Sequence, residues 1–212
     1  MKNLKIEYVH DIDCSWCPIN YANLKTAIKA LNDEVSVEIE FLPYEVKPNF
    51  KVEGEKISTH LMKLNGWNEQ QHAEYRESLL RTAAQAGVKI DFSKRTHYYN
   101  TSLGHRLVHF ASLSNKQAAM NELLIEGYFE KGLNPTKVDQ LLELAARLDL
   151  DLGEAKQALT AQFQEPALVE KYQRARQITT RGVPALRING KQVVIGTRPP
   201  EYFIDLLRNI ET

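Results

Sequence analysis

The chain has 212 residues, with 27 Lys plus Arg against 27 Asp plus Glu and a formal net charge of zero. That balance leaves no basic footprint for nucleic acid, and no apolar run approaches the ~20 residues of a membrane span. With 43% hydrophobic residues the chain has material for a sizeable core, so a soluble globular protein with no nucleic-acid and no membrane partner is expected.

Leu4 to Val9 alternates as a strand, with Leu4, Ile6 and Tyr8 on one face and Lys5, Glu7 and Val9 on the other. A short loop from His10 to Asp13 leads to Cys14-Ser15-Trp16-Cys17, which holds both cysteines of the sequence. Tyr21, Leu24, Ile28 and Leu31 then recur at helical spacing, and Ser36 to Leu42 alternates again. The order strand, Cys-X-X-Cys, helix, strand puts Cys14 at an exposed helix start, where the positive end of the dipole favours a thiolate, and Cys17 a turn deeper. Cys14 is therefore expected to be the nucleophile and Cys17 the resolving thiol. A Cys-X-X-Cys beside a βαβ pattern signals redox chemistry.

Plainer readings compete with that one. A structural disulfide needs an oxidising compartment, whereas the N-terminus lacks the apolar run and small-residue finish of a secretory signal. Cytoplasmic residence and a resting dithiol are expected instead. A zinc site joining the cysteines to His10 has no fourth ligand, so no metal is expected. Glu7, on the strand entering the motif, is a candidate for proton transfer with Cys17, although a solvated strand carboxylate is the commoner case. His10 either approaches the thiolate or caps the strand end.

From about Ser58 to Phe163 strand alternation gives way to helical periodicity. Ala73, Leu80, Ala83 and Ala84 predict a helix ending at Gly87, and Leu107, Phe110, Ala111 and Leu113 predict another. Asn134-Pro135 opens a helix with Val138, Leu141, Leu142, Ala145 and Leu148, and Asp151 with Glu154 reads as a capping box. An all-helical insertion over 58–163 follows, entered through the loop Pro43 to Glu55. His105 and His109 share a helix face at a spacing that suits metal, but no acidic motif accompanies them; a structural or surface role is expected for both and for His97. The flanking segments 1–57 and 164–212 then form one domain. Pro166 starts a helix with Leu168, Tyr172, Ala175 and Ile178 on one face, and Gly182-Val183-Pro184 breaks it. Ala185 to Ile188 and Gln192 to Ile195 read as strands joined at Asn189-Gly190, and Thr197 to Pro200 leads a last helix with Phe203, Leu206, Leu207 and Ile210. The total is βαβ, helices, then αββα.

The Cys14-to-Cys17 motif, the Gly182-Val183-Pro184 turn before a hairpin and the helical insert resemble the DsbA-like branch of the thioredoxin superfamily. Asn100 to Leu107, Gly182 to Ala185, Ile188-Asn189-Gly190 and Gly196 to Pro200 resemble segments of its cytosolic FrnE-like oxidoreductases. The resemblance spans nearly the whole chain. It implies an α/β thioredoxin-like fold, a mixed central sheet with flanking helices, plus the insertion. It implies Cys14 as attacking and Cys17 as resolving cysteine, and Pro184 as a cis-proline against the active-site pair that leaves the Val183 backbone to an extended substrate. Trp16 either shapes the substrate side or is a half-buried packing aromatic. Ser15 departs from the Cys-Pro-His-Cys of DsbA and the Cys-Pro-Trp-Cys commoner in the FrnE-like group, so a strongly oxidising poise does not carry over.

The leading function is thus a thiol–disulfide oxidoreductase acting on a protein or small-molecule thiol or disulfide, without a bound cofactor but with glutathione as a possible co-substrate. One alternative is a glutathione-dependent isomerase or transferase of the kappa-class or 2-hydroxychromene-2-carboxylate isomerase type; those relatives use serine at the place of Cys14 and lack the resolving thiol. Another is a peptide-binding module without catalysis.

Overall fold

A computed structural model describes residues 1–50, 52–162 and 164–211. The chain divides into two compact units, Met1–Val46 with Glu165–Thr212, and Lys47–Gln164. Phe163, where the sequence pattern ends the insertion, lies outside the described residues.

In the first unit β1 (Lys2–His10) pairs in parallel with β2 (Val35–Pro43) through the crossover helix α1 (Trp16–Ala30). The hairpin of β5 (Ala185–Ile188) and β6 (Gln192–Ile195) adds two antiparallel strands on the other side of β1, giving a mixed sheet of order β2-β1-β5-β6. The hairpin turns where Asn189-Gly190 predicted: both residues have positive φ, 49° and 71°, and Asn189 Oδ1 accepts from the Lys5 amide at 2.9 Å. Helix α9 (Pro200–Asn209) packs on α1, and α8 (Pro166–Ile178) packs on β2 and β5. Because β1 lies inside the sheet, its residues from Ile6 to His10 are all buried. Leu4, Ile6 and Tyr8 take one face, while Val9 joins Leu42, Ala185, Ala175 and Ile178 under α8. This is a thioredoxin-like fold.

The second unit holds α2 (Ile57–Asn65), α3 (Glu69–Gln85), α4 (Ser102–Ser112), α5 (Gln117–Glu130), α6 (Val138–Arg147) and α7 (Leu152–Thr160). It departs from the all-helical expectation by one short ladder, β3 (Glu55–Lys56) against β4 (His97–Tyr98). Three further local differences have physical reasons. The buried stripe of α3 is His72, Leu79 and Ala83 rather than Ala73, Leu80 and Ala84, so the helix is turned by one residue and a histidine points inward. Its full capping box, Asn68 with Gln71, carried no apolar cue. Asn134 accepts from the Thr136 amide and hydroxyl in a local turn, and α6 starts only at Val138. At α7 the cap holds: Asp151 Oδ1 accepts from the Glu154 amide at 2.8 Å. His105 and His109 are buried within α4. No helix among the described residues is long and apolar enough to cross a membrane.

Candidate active site

The two thiols occupy the start of α1. Cys14 precedes Ser15, the N-cap residue, and Cys17 is the second residue of the helix. Ser15 makes no side-chain capping bond and the first turn holds no acidic residue, so the dipole at this end is not offset by a local carboxylate within the helix. The loop is closed by the backbone: Cys14 N donates to Asp11 O at 3.3 Å and Cys17 N to Cys14 O at 3.2 Å. Cys14 is half-exposed and Cys17 is buried, and both are free thiols. Burial first, then a hydrogen bond to the Cys14 sulfur and the charge beside it, push the Cys17 thiol well above its ordinary range, against a lowering bond from the Asp11 backbone. Cys17 therefore holds its proton.

Tyr8 carries the floor of the site. Its hydroxyl donates to Cys17 O at 2.9 Å and accepts from Asn20 Nδ2 at 3.2 Å. Burial, then the nearby Cys17, raises its pKa well above the usual phenol value, so it stays neutral and acts as a donor. Asn20 Oδ1 in turn accepts from the Arg198 amide at 2.9 Å, Asn23 Nδ2 donates to Arg198 O at 2.9 Å, and the Thr197 hydroxyl donates to Trp16 O at 3.4 Å. The loop before α9 is thereby tied to the first turns of α1. His10 is buried edge-on against Phe41, with ring centroids 5.1 Å apart, and tilted against Tyr8.

The second wall comes from the far end of the chain. The Val183–Pro184 peptide is cis, and Cys14 Sγ lies 3.7 Å from Val183 O. Thr179 fixes this turn, its hydroxyl donating to Gly182 O at 3.0 Å and accepting from Arg181 N at 3.2 Å, while Pro184 O accepts from Gly196 N at 2.8 Å. Pro184 is buried, Val183 and Trp16 half-buried. The structure thus brings Cys14, Cys17, Trp16 and Val183-Pro184 together.

Glu7 does not join them, which corrects its candidacy for proton transfer with Cys17, and its burial also sets aside the commoner reading of a solvated strand carboxylate. It is only 6% exposed, yet it points to the α8 side of β1. There Arg187 donates to it through Nε and Nη2, and Arg174 through Nη1 at 2.9 Å. Burial alone raises its pKa, but Arg187 and then Arg174 overcome this and hold the carboxyl below its ordinary value. Asp11, buried in the loop that the sequence leaves as a connection, acts on the Cys17 thiol through its backbone and its charge. Tyr8 and Asn20 were also missed as site residues. The signals were present: Tyr8 shares its strand face with the helix, and Asn20 lies three residues after Cys17 on the buried face of α1.

The DSBA-like thioredoxin domain pattern matches residues 5–208. The chain belongs to that family. It is 28% identical over 202 residues to the Bacillus subtilis protein YwbO, spanning 93% of this chain and 92% of that one. Among solved structures it is similar to a probable DsbA oxidoreductase from Streptomyces coelicolor, with 26% identity, a TM-score of 0.84 and coverage of 96% and 88%. It shares its fold with the cytosolic disulfide reductase DsbM from Pseudomonas aeruginosa, solved with GSH, at 17% identity, a TM-score of 0.66 and 96% coverage of each chain. As a DsbA-like protein with two adjacent thiols, it is an enzyme of thiol–disulfide oxidoreduction.

Proposed function

We propose that this DsbA-like enzyme exchanges electrons with a thiol or disulfide substrate through Cys14 and Cys17, in the manner of the cytosolic FrnE-like oxidoreductases. The observation that carries the reading is the asymmetry of the pair: Cys14 is half-exposed before an uncapped helix start, and Cys17 is buried, protonated and bonded to it. In the reducing direction the Cys14 thiolate attacks one sulfur of the substrate disulfide. A Cys14–substrate disulfide forms and the other substrate sulfur leaves as a thiolate, which takes a proton from water. Cys17 then loses its proton and attacks Cys14 Sγ. The Cys14–Cys17 disulfide forms, the second substrate thiol departs, and two electrons have moved from the enzyme to the substrate. The same steps in reverse donate a disulfide.

The half-buried Trp16 and the Val183 carbonyl, with Pro184 beneath it, flank Cys14 and supply the substrate-facing surface. A low-molecular-weight thiol such as glutathione resets the pair as co-substrate, with no bound cofactor. Both cysteines of the chain belong to this pair and none is left for a structural disulfide, which suits a reducing cytoplasm. Trapping tests the roles. Cys17→Ser is expected to accumulate mixed disulfides that a reductant releases, and Cys14→Ser none. If neither variant traps a partner while Cys17→Ser retains a glutathione-dependent isomerisation at the wild-type rate, the isomerase reading replaces this one.

A further inference from the structure

The helical unit contains a cavity of about 180 Å³ lined by Lys56, Ile57, Ser58, His72, Arg76, Phe92, Arg95 and Thr96. Three of these side chains are cations, and no carboxylate is among the described lining residues. Both guanidinium groups lie against aromatic rings. Arg76 lies 4.5 Å from the Phe92 ring centroid, and the buried Arg95 lies between Phe129 at 4.6 Å and Tyr128 at 5.2 Å. A cation over a ring is held by the ring quadrupole and not by a hydrogen bond, so the contact with Phe92 positions the exposed Arg76 without using its N–H donors.

Two further observations point to a ligand. His72 is only 8% exposed, it lines the cavity, and no hydrogen-bond partner among the described residues reaches its Nε2. A buried, unpartnered ring nitrogen is costly, and such groups are nearly always satisfied. Ile57 and Ser58, meanwhile, are the first two residues of α2, whose start has neither a side-chain cap nor an acidic residue in its first turn. The Ile57 amide is used by Thr96 O, but the dipole of this nine-residue helix still ends at the cavity.

We propose that this cavity is a second ligand site, unrelated to the thiols, that binds a phosphate group through Arg76, Lys56, His72 and the start of α2. A phosphate dianion answers the charges of Arg76 and Lys56, accepts in-plane bonds from the Arg76 guanidinium and suits a helix N-terminus. The volume equals the liquid share of about six water molecules, so the cavity has room for a phosphate with a short organic appendage.

Imidazole NMR on the full-length protein tests this at constant ionic strength. Inorganic phosphate is expected to shift the His72 ring resonances saturably, whereas chloride is not. The exposed Arg76→Gln should lower phosphate affinity about tenfold and leave disulfide reduction unchanged, which separates this site from the redox pair. Glycerol 3-phosphate serves as the second probe: tighter binding than inorganic phosphate assigns the site to esterified phosphate, and equal or weaker binding assigns it to the free ion. The absence of a saturable shift with both probes, or an unchanged affinity in Arg76→Gln, overturns the proposal.

Discussion

The two sides of β1 solve burial in opposite ways. Toward α1, Tyr8 stands in a neutral hydrogen-bonded chain with Cys17 O and Asn20. Toward α8, Glu7 lies in register with Glu40 on one neighbouring strand and Arg187 on the other, and Arg174 spans both carboxylates at 2.7–2.9 Å. The lesson is one of separation. Strand alternation keeps the formal charges of the ion-pair network off the face that holds the resolving thiol, so the Cys17 proton is governed by burial, Cys14 and Asp11. One side is built to react and the other to hold the sheet together.

Reciprocal variants give the largest effects. Cys14→Ser should lower disulfide reduction by roughly 10³-fold or more while shifting stability by about 0.5 kcal/mol or less, as expected for a half-exposed position. Glu7→Ala should do the reverse. It leaves two part-buried guanidinium groups without their shared carboxylate, at a cost of about 2 kcal/mol, below the 3–5 kcal/mol of a fully buried pair because both arginines keep some contact with water. Denaturant unfolding and a reductase assay on the folded fraction check both. An inactive but stable Glu7→Ala would erase the division.

An effect of about 1 kcal/mol is expected for Tyr8→Phe, which strips one bond from Cys17 O and one from Asn20. Single-turnover kinetics should show slower release of the mixed disulfide, with attack by Cys14 unchanged. Acid sharpens the opposite side. Arg187 and Arg174 lower the Glu7 carboxyl against its burial, and Arg174 lowers that of Glu40. A carboxyl whose folded pKa lies below its unfolded value adds stability that is fully present above the unfolded pKa and is lost as pH falls through the folded one. Unfolding free energy should therefore decline below about pH 4.5, with a shallower slope in Glu7→Gln. The smallest readout is the rate of labelling: iodoacetamide at neutral pH should modify Cys14 before Cys17, because Cys17 is buried and holds its proton.

Legibility in the sequence tracked how local the deciding physics is. The hairpin at Asn189-Gly190, the Pro166 helix start and the Asp151 cap were readable because a few adjacent residues determine them. The placement of the thiols followed from strand–helix order alone. The fate of Glu7 was not readable, because its partners lie 167 and 180 residues away. In α3 the adjacent Leu79 and Leu80 allow either stripe, and the polar His72 concealed the buried one. Helix α5 gave no periodic cue, since polar Asn121 is buried beside Met120 and Leu124. Asp11 reads as part of a loop, and it is buried there with the amide of the distant Val46 donating to its Oδ2.

The wall beside Cys14 has a consequence in time. Val183 lies 169 residues after the thiol whose Sγ it faces, and the Thr197 that anchors Trp16 O lies 181 residues after it. At about 5–20 residues per second, a ribosome needs roughly 8–36 s to make that span. Throughout that interval the nascent chain carries both cysteines without the turn that will flank them, open to any oxidant or thiol it meets. A ribosome that stalled before Val183 would hold a polypeptide with both thiols and without the turn that flanks them.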